Sequence, residues 1–420
     1  MSIKSLWKRL SGVQAAIVEA WEFDEEAECV VLKVRPRCNE ADRCPECRRR
    51  CPFYDQGGGR RRWRGMDLGT TRIFLEAAAP RVRCARHGVL VAAVPWARPG
   101  SWFTRDFEDQ VAWLAVATNR TAVSQIMRIA WRTVGRIVES VAGEALEGVD
   151  LLNGLRRIGI DEVSYRKGHK YLTVVTDHDS GKLVWMADGR DAATLKRFFN
   201  VLGYARAQLL QIVTADGAAW IDEVVRERAP QATRCMDPFH VVQWAGKALD
   251  KVRRAVWNTL RHGGHPALAG RLKALRWAMW KNPEDLTPSQ RESLGWIPKV
   301  NNALYRAYLL KEALRMVFRA PTLTKAVSRL QAWLRWAQRS QLEPFKRLAR
   351  TIHEYYDRIV ASVEHGVSNA LTEARNNQIR LLTRLAHGFK KTAALIALSM
   401  LKLSGLCPPL PGRSQPTKPS

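Results

Sequence analysis

Short apolar runs alternate with helical segments between residues 155 and 236, and this order restricts the possible folds of the chain more than any other feature. Runs rich in β-branched residues predict five strands, at 157–161, 171–176, 183–186, 209–214 and 232–236. Helical spacing of apolar residues predicts two helices that separate the last three strands, at 192–202 and about 218–227. Three meandering strands, a helix, a strand, a helix and a strand therefore predict a mixed α/β domain.

This order of elements is that of the ribonuclease-H-like α/β fold. Asp161 closes the first predicted strand and Asp216 follows the fourth. If these two strands are neighbours, both carboxylates meet at one edge of the sheet. Carboxylates held in this way bind hard cations, and two Mg²⁺ ions about 3.5–4 Å apart are suited to phosphoryl transfer on nucleic acid.

The residues alone leave alternatives open for both acids. Asp216 has the residue type of a helix N-cap, and Glu162 and Asp237 are rivals for the metal-binding role. Asp161 is preferred to Glu162 because side chains alternate along a strand and the two should point to opposite faces.

A third acid, Glu373, lies in a predicted amphipathic helix over 368–380. Helical spacing places Glu373 on one polar face with Arg380, Arg384 and either Asn376 or Asn377. A solvated surface helix is the ordinary interpretation of such a pattern, so spacing alone does not single out Glu373.

Most of the eight cysteines lie before residue 85, and they suggest a metal site. Cys44 and Cys47 form one CxxC pair, while Cys84 and His87 form a second pair with the same spacing. Three thiolates and one imidazole are a common structural Zn²⁺ site. Cys38 or Cys51 could replace His87 as the fourth ligand, and a set of unrelated free thiols is the alternative to zinc.

Residues 121–138 predict a helix-turn-helix. Val123, Ile126 and Met127 would pack one helix, and Val134, Ile137 and Val138 would pack the next. The outward positions facing a DNA major groove would be Arg132, Thr133 and Arg136. A second basic candidate for DNA contact surrounds Trp63 and consists of Arg60, Arg61, Arg62 and Arg64. A mere packing pair of helices and a solvated basic loop are the alternatives.

The net charge of +28 and a pI near 10.3 favour a polyanionic partner. A basic protein of the ribosome or the membrane surface is the alternative, but 420 residues with 16 Trp argue against a small ribosomal protein. No apolar run of about 18 residues and no secretory signal are recognisable, which predicts a cytoplasmic protein that makes no use of a membrane.

Four stretches stand in the order expected of one family, at 159–162, 214–217, 237–240 and 368–376. They resemble the DDE transposases of bacterial insertion sequences, specifically the ISL3 family, and the resemblance covers nearly the whole chain. It implies that Asp161, Asp216 and Glu373 are catalytic ligands of Mg²⁺ or Mn²⁺. Ala374 stands where relatives more often have Gly.

The resemblance also implies supporting residues. Asp237 and His240 match an auxiliary Asp-x-x-His signature, Asn376 is expected to be auxiliary, and Arg380 is expected to contact DNA. The long interval between the last two acids fits an α-helical insertion at about 241–367. An N-terminal zinc module is expected too, although relatives usually have Cys where His87 stands.

The resulting prediction is a multidomain α/β protein. A zinc-binding module (1–95) and a helix-turn-helix (104–148) precede a ribonuclease-H-like catalytic domain with its helical insertion (155–405) and a disordered tail (406–420). Such a protein would bind terminal inverted repeats in double-stranded DNA, cleave them and join the 3′-hydroxyl to target DNA. We expect a homodimer or larger assembly, associated with the bacterial nucleoid. A DNA-binding regulator with an inactive catalytic domain and a nuclease that cuts without joining are the alternatives.

Overall fold

The chain forms two compact units in a computed structural model that describes residues 3–166, 168–389 and 391–413, with only the backbone of Val300. One unit comprises Met1–Val149 with Leu385–Ser420, and the other Asp150–Arg384. The predicted catalytic domain 155–405 therefore extends beyond the second unit, since the last helix of the chain packs with the first. Of the predicted disordered tail, residues 414–420 lie outside the described part.

The first unit begins with two small sheets. Its N-terminal elements are α1 (Ile3–Leu10), β1 (Ala16–Asp24), β2 (Cys29–Pro36), β3 (Phe53–Asp55), β4 (Arg60–Arg64), β5 (Arg72–Ala78), β6 (Arg81–Cys84) and β7 (Gly88–Val91). The strand orders are β1-β2-β5-β4 and β3-β6-β7. Trp63 and Trp96 are buried in the core of the larger sheet, with their ring centroids 5.7 Å apart.

Four helices complete this unit: α2 (Arg105–Ala117), α3 (Arg120–Met127), α4 (Trp131–Glu147) and, from the end of the chain, α18 (Thr392–Leu403). Asn119 caps α3 by accepting a hydrogen bond from Ala122 N at 2.9 Å, and Arg128, with a left-handed φ of 51°, ends it. The predicted packing of the two helices is confirmed for the buried residues Val123, Met127, Val134, Ile137 and Val138. It is wrong for Ile126, which is 58% exposed because α3 is short and turns this residue to solvent.

The second unit is built on one five-stranded sheet. Its strands are β8 (Arg157–Arg166), β9 (Lys170–Asp177), β10 (Leu183–Asp188), β11 (Ile212–Ala215) and β12 (Thr233–Met236). The order is β10-β9-β8-β11-β12, with β8, β9 and β10 antiparallel and β11 parallel to both β8 and β12. The predicted order of elements is confirmed. The first strand is longer than predicted, since β8 continues past Asp161 to Arg166. β8, which carries Asp161, and β11, which precedes Asp216, are neighbours.

Three helices accompany this sheet: α5 (Ala192–Leu202), α6 (Tyr204–Ala207) and α7 (Ala219–Arg228). Alternate residues of β8 and β11, among them Ile158, Ile160 and Val213, pack with Phe198 of α5 and Val224 of α7 in one core. The period-two pattern of the strands explains this, because it places every second side chain on the same face.

A long helical segment follows β12. It contains α8 (Pro238–His262), α9 (Pro266–Ala274), α10 (Arg276–Trp280), α11 (Pro288–Gly295), α12 (Ile297–Val300), α13 (Asn302–Arg315), α14 (Leu323–Arg339), α15 (Glu343–Glu354) and α16 (Tyr356–Glu364). Its own core is centred on Trp333, whose Nε1 donates to Leu310 O at 2.8 Å, and Phe345. The predicted helical insertion is thus present, and α17 (Ala370–Leu385) follows it. Within the described ranges, none of the helices is long and apolar enough to cross a membrane.

Candidate active site and zinc site

Asp161 lies on β8 with both carboxylate oxygens engaged. Its Oδ2 accepts a hydrogen bond from Asn376 Nδ2 at 2.8 Å, and its Oδ1 accepts one from Glu162 N at 2.7 Å. Burial is the main cause that raises the pKa of Asp161 to about 6; the charges of Asp216 and Asp237 act in the same direction, while the hydrogen bond from Glu162 N and the charge of His240 oppose it. A buried acid beside other acids is a place where a cation would be strongly favourable.

Asp216 follows β11 and is fixed mainly through its backbone. Its carbonyl accepts from Arg234 Nη2, and its Oδ1 accepts from Ala218 N at 3.1 Å. The N-cap of α7 is Ala218, without a side-chain cap, so Asp216 is not the helix cap that its residue type allowed. The side chain of Asp216 is therefore available to bind a ligand at the end of β11.

The helical segment contacts the turn that carries Asp216. Tyr355 OH donates to Gly217 O at 3.0 Å, and a Cβ at Gly217 would lie 3.0 Å from the Trp244 ring. Arg234 also donates from Nε to Asp222 Oδ1 at 2.9 Å, and Asp222 forms a second ion pair with Arg358. Two aromatic rings and a buried ion-pair network thus hold this turn in place.

The start of α17 is fastened to the sheet by buried polar contacts. The hydroxyl groups of Thr372 and Thr176 share a hydrogen bond of 2.6 Å. Asn369 accepts from Thr214 Oγ1 at 3.0 Å and donates from Nδ2 to Ile160 O at 3.3 Å. Gly159 makes this approach possible, since a Cβ there would lie 2.2 Å from Thr372 Oγ1.

Glu373 is half-buried on α17, between Thr372, which contacts β9, and Asn376, which contacts Asp161. The structure therefore brings the segment that carries Glu373 to the strands that carry Asp161 and precede Asp216. The three acids do not form a tight cluster. Within the described ranges, the zinc site below is the one group of metal-ligating residues whose ligand atoms all lie within 4.8 Å of one another. Carboxylates that hold two separate ions need not approach one another so closely.

Asp237 and His240 form a pair at the start of α8. His240 Nδ1 and Asp237 Oδ2 are 2.9 Å apart, and this hydrogen bond raises the pKa of His240. Asp237 also accepts from Asn369 N through its Oδ1 at 3.2 Å. The pair thus connects the start of α8 to the start of α17.

Glu162, the rival of Asp161, has a different environment, as strand alternation predicts. Its side chain is 7% exposed and its Oε2 lies 3.2 Å from Arg190 Nε. Burial first, and the charge of Asp216 second, raise the pKa of Glu162 to about 7, although Arg190 opposes them. Sequence reasoning missed Arg190, Arg234, Tyr355 and the anchoring contacts of Asn369, although Asn369 stands in one of the stretches that carry the family resemblance.

The second site lies in the first unit and consists of Cys44, Cys47, Cys84 and His87, whose ligand atoms all lie within 4.8 Å of one another. His87 Nδ1 is 3.5 Å from the sulfurs of Cys44 and Cys84, and the sulfurs of Cys47 and Cys84 are 3.8 Å apart. Tetrahedral Zn²⁺ with Zn–S bonds of about 2.3 Å would separate its thiolates by roughly 3.7 Å. The donor set and its spacing therefore fit zinc.

Local structure explains how these four residues meet. Cys44 and Cys47 lie in a turn between the paired residues Arg43 and Arg50, whereas Cys84 ends β6 and His87 lies in the turn that leads to β7. Backbone N–H groups of Arg86 and His87 lower the pKa of Cys84 to about 6, which favours the thiolate that binds metal.

The two rival cysteines lie outside this group of ligands. Cys38 is exposed, and Cys51 is buried beside the cluster with its thiol directed to Arg49 O at 3.4 Å.

The predicted DNA-contacting residues differ in accessibility. Arg132 and Arg136 are exposed on α4 and Thr133 is half-buried, while Arg380 donates to Asn377 Oδ1 at 2.8 Å. Arg60 and Arg62 are exposed but both pair with Glu76.

Two of the predicted contacts are corrected by the structure. Arg64 is buried and paired with Asp67 at 2.7 Å. Arg61 lies 4.1 Å from the centroid of the Trp102 ring and donates to Ser101 O at 2.7 Å. Both side chains are used inside the module, so they support its fold instead of presenting their charge to DNA.

Three family models match consecutive parts of the chain. A transposase model for DDE enzymes of the ISL3 type matches residues 158–399, a helix-turn-helix domain of ISL3 transposases matches 92–142, and a zinc finger of the transposases of IS204, IS1001, IS1096 and IS1165 matches 40–87. The predicted zinc, helix-turn-helix and catalytic regions therefore occur in the predicted order.

Curated relatives agree with these matches. The chain is 49% identical over 432 residues to the transposase for insertion sequence element IS1557 of Mycobacterium tuberculosis, covering 97% of each chain. It is 25% identical over 395 residues to the transposase for IS1001 of Bordetella parapertussis, covering 92% of this chain and 95% of that one. The chain belongs to the ISL3 family of insertion-sequence transposases, which are metal-dependent DDE enzymes.

Proposed function

We propose that this transposase binds the terminal inverted repeats of its insertion sequence, cleaves the ends and joins the freed 3′-hydroxyl to target DNA, with Asp161, Asp216 and Glu373 as catalytic metal ligands. The hydrogen bond from Asn376 to Asp161 is the observation that carries the assignment. It ties the helix of Glu373 to the strand of Asp161, next to the strand that leads to Asp216.

We assign the second unit to the ribonuclease-H-like fold. The support is its sheet order β10-β9-β8-β11-β12, with three antiparallel strands followed by two parallel ones. In this arrangement β11 pairs with the first residues of β8, from Arg157 to Gly159, so β11 ends beside the part of β8 that carries Asp161. A pair of metal-binding acids requires such a neighbouring position. The helical segment interrupts the domain between the second and third acids.

The residues present fit divalent metal. The donor set is rich in carboxylate oxygens, which Mg²⁺ and Mn²⁺ prefer. Two buried oxygens, Glu162 Oε1 and Asn376 Oδ1, have no hydrogen-bond partner among the described residues, and both belong to residues that contact Asp161 or follow it directly. When bound, the metal ions activate the attacking oxygen and stabilise charge on the leaving oxygen.

The chain itself orients the acids and the DNA. Asn376 fixes one oxygen of Asp161 and leaves the carboxylate little freedom to rotate. Arg234 and Tyr355 hold the carbonyl groups of the two consecutive residues Asp216 and Gly217. Asp237 orients the His240 ring through the 2.9 Å hydrogen bond with Nδ1, and this contact raises the pKa of His240.

Recognition of the ends is assigned to the first unit. The zinc ion would hold the two turns of the N-terminal module together, and exposed residues on α4 would enter a major groove. The proposed DNA contacts are Arg60, Arg62, Arg132, Thr133 and Arg136 in this unit, and Arg380 on α17. Synapsis of two ends would use a homodimer or larger assembly associated with the cytoplasmic nucleoid.

The test combines labelled terminal-repeat DNA, a target plasmid and Mg²⁺ or Mn²⁺. Joined product from the native chain, lost in Asp161→Asn, Asp216→Asn and Glu373→Gln with DNA binding retained, is the expected result. Cleavage without joining would identify a nuclease, and binding alone would identify a regulator. Normal joining by Glu373→Gln would overturn the assignment of the third acid.

A further inference from the structure

A buried carboxylate and a partly exposed guanidinium lie beside the candidate active site. Glu162 is 7% exposed, whereas Arg190 is 44% exposed. Their contact uses Arg190 Nε and Glu162 Oε2, 3.2 Å apart, and the guanidinium lies 4.8 Å from the centroid of the Tyr171 ring. The terminal nitrogens of Arg190 are thus left for another acceptor. Glu162 and the Tyr171 ring fix the orientation of the guanidinium.

Steric and hydrogen-bond contacts fix the backbone on both sides of Arg190. Gly189 has a φ of 125°, and a Cβ there would lie 2.1 Å from Thr194 Oγ1. Gly189 N donates to Tyr171 O at 3.0 Å, and Gly189 O accepts from Thr173 Oγ1 at 2.9 Å. Asp191 then caps α5 by accepting from Thr194 N at 2.7 Å. The guanidinium therefore projects from a fixed point between β10 and α5.

A bound ligand would explain why the positive charge of Arg190 lies beside the candidate metal-binding acids. Glu162 directly follows Asp161, and its backbone N donates to Asp161 Oδ1 at 2.7 Å, so the Arg190–Glu162 pair lies beside an acid assigned to metal binding. A guanidinium that faces bound metal ions is repelled by their like charge. An anion that contacts both the metal ions and the guanidinium removes this conflict, and a phosphodiester of the DNA backbone is such an anion.

We infer that Arg190 is a phosphate-binding residue of the active site, oriented by Glu162, and that it holds a backbone phosphate of the strand undergoing transfer. The inference rests on the proposed function, since it assumes that Asp161 and Asp216 act on DNA. Arg190 contacts substrate, whereas Glu162 acts through Arg190 as a positioning residue.

The first experiment compares Arg190→Gln with Arg157→Gln, in the full-length chain. Arg157 is a matched control because it is an exposed arginine paired with an acid, Asp179, and lies at the start of β8, before Asp161. Arg190→Gln should lower the rate of joining at saturating terminal-repeat DNA by roughly 100-fold, while the apparent affinity for that DNA and the Tm stay close to native. Arg190→Lys should recover part of the rate because it keeps the charge, and Arg157→Gln should join like the native chain.

The second experiment identifies the contacted phosphate. Terminal-repeat duplexes carry one uncharged methylphosphonate at a time, at the positions flanking the cleaved bond. At one position the native chain should lose most of its rate, and Arg190→Gln should lose nothing further, because the charge contacted by Arg190 is already absent. A merely structural role would give the same additional loss in both proteins at every position.

The outcomes separate this inference from the proposed function. Absence of joined product from the native chain overturns the proposed function. Normal joining by the native chain together with normal joining by Arg190→Gln, or additive losses at every methylphosphonate, overturns the role of Arg190 alone.

Discussion

Asn376 donates from its Nδ2 to Asp161 Oδ2 at 2.8 Å, and this hydrogen bond joins α17 to the central strand of the second unit. Asn376→Ala should therefore lower joining by roughly 10–100-fold and raise the Mg²⁺ concentration needed for half-maximal rate, since residues that orient a metal ligand have effects of this size. Rates measured across a Mg²⁺ titration check this. Asn377→Ala is the matched control, because the side chain of Asn377 is exposed and contacts Arg380 rather than Asp161. Equal effects of the two variants would contradict the orienting role.

Asp161→Asn should abolish joining yet stabilise the metal-free protein. Burial raises the pKa of Asp161 from 3.8 to about 6, so the folded state binds more protons than the unfolded state between these pH values. Stability is thus lost as pH rises from about 4 to about 6 and stays lowered above that. Asn in place of the ionised acid should raise the free energy of unfolding by about 1–3 kcal/mol at pH 7 and have little effect at pH 4.

Calorimetry in the presence of a chelator measures this difference. Asp150→Asn provides a control of opposite sign, because Arg206 lowers the pKa of Asp150 and its charge stabilises the folded state at neutral pH. A loss of stability in Asp161→Asn at pH 7 would be incompatible with the assigned environment.

Tyr355→Phe removes one hydroxyl from the helical segment and should slow joining by roughly 3–10-fold, with a loss of stability of about 1 kcal/mol. The hydroxyl donates to Gly217 O, directly after Asp216. Tyr356→Phe is the control, since the adjacent hydroxyl accepts from Gln331 at 3.4 Å, away from this turn. Comparison of single-turnover rates and Tm values for the two variants tests the link. If only the Tm of Tyr355→Phe changes, the contact supports the fold without positioning Asp216.

Gly159→Ala should destabilise the second unit by about 1–3 kcal/mol and strongly reduce joining, because the added methyl group would displace α17. A Cβ at this position would lie 2.2 Å from Thr372 Oγ1 and 2.7 Å from Asn369 Oδ1. Gly246→Ala is the matched control: it lies within α8, and its Cβ would have nothing within 4 Å. Helix propensity predicts that this control stabilises the protein by about 0.5–1 kcal/mol. Thermal unfolding of both variants decides the comparison.

Zinc content should distinguish the ligands from the neighbouring thiols. Atomic absorption of the purified chain should find one zinc ion, lost in Cys47→Ser and His87→Ala and retained in Cys51→Ser and Cys38→Ser. The measured separations of the four proposed ligands fit one tetrahedral ion, and Cys51 lies outside them. If zinc is retained in His87→Ala but lost in Cys51→Ser, the fourth ligand is Cys51 and not His87. Loss of zinc should weaken binding to terminal-repeat DNA without unfolding the second unit.

The sequence predicted the elements of the second unit well because their signals are local. Alternation and helical spacing located all five strands and two of the three helices beside the sheet, with the α5 boundaries at Ala192 and Leu202 but without the short α6. The helix-turn-helix was equally accessible from apolar spacing. Ile126 shows the limit, since its exposure depends on where α3 turns and not on its own hydrophobicity.

The contacts that assemble the candidate site could not be predicted in this way, because they join segments far apart in the chain. Nothing local indicates that Tyr355 reaches Gly217 or that Asn376 reaches Asp161. The basic run around Trp63 was misleading for a related reason: composition reports charge, but burial of Arg64 beside Asp67 is decided by packing. Glu373 is proposed through the family resemblance, since the sequence pattern of its helix is that of an ordinary solvated helix.

The membership of α18 in the first unit has a consequence for synthesis. This helix packs against α2 and α4, and Lys402 Nζ donates to Val116 O at 3.1 Å. Residues that complete the hydrophobic surface of α4 therefore leave the ribosome after all three candidate catalytic acids have been translated. A nascent chain or one terminated before α18 would present α4 without this partner, so competence to recognise DNA ends should appear only after α18 has been translated.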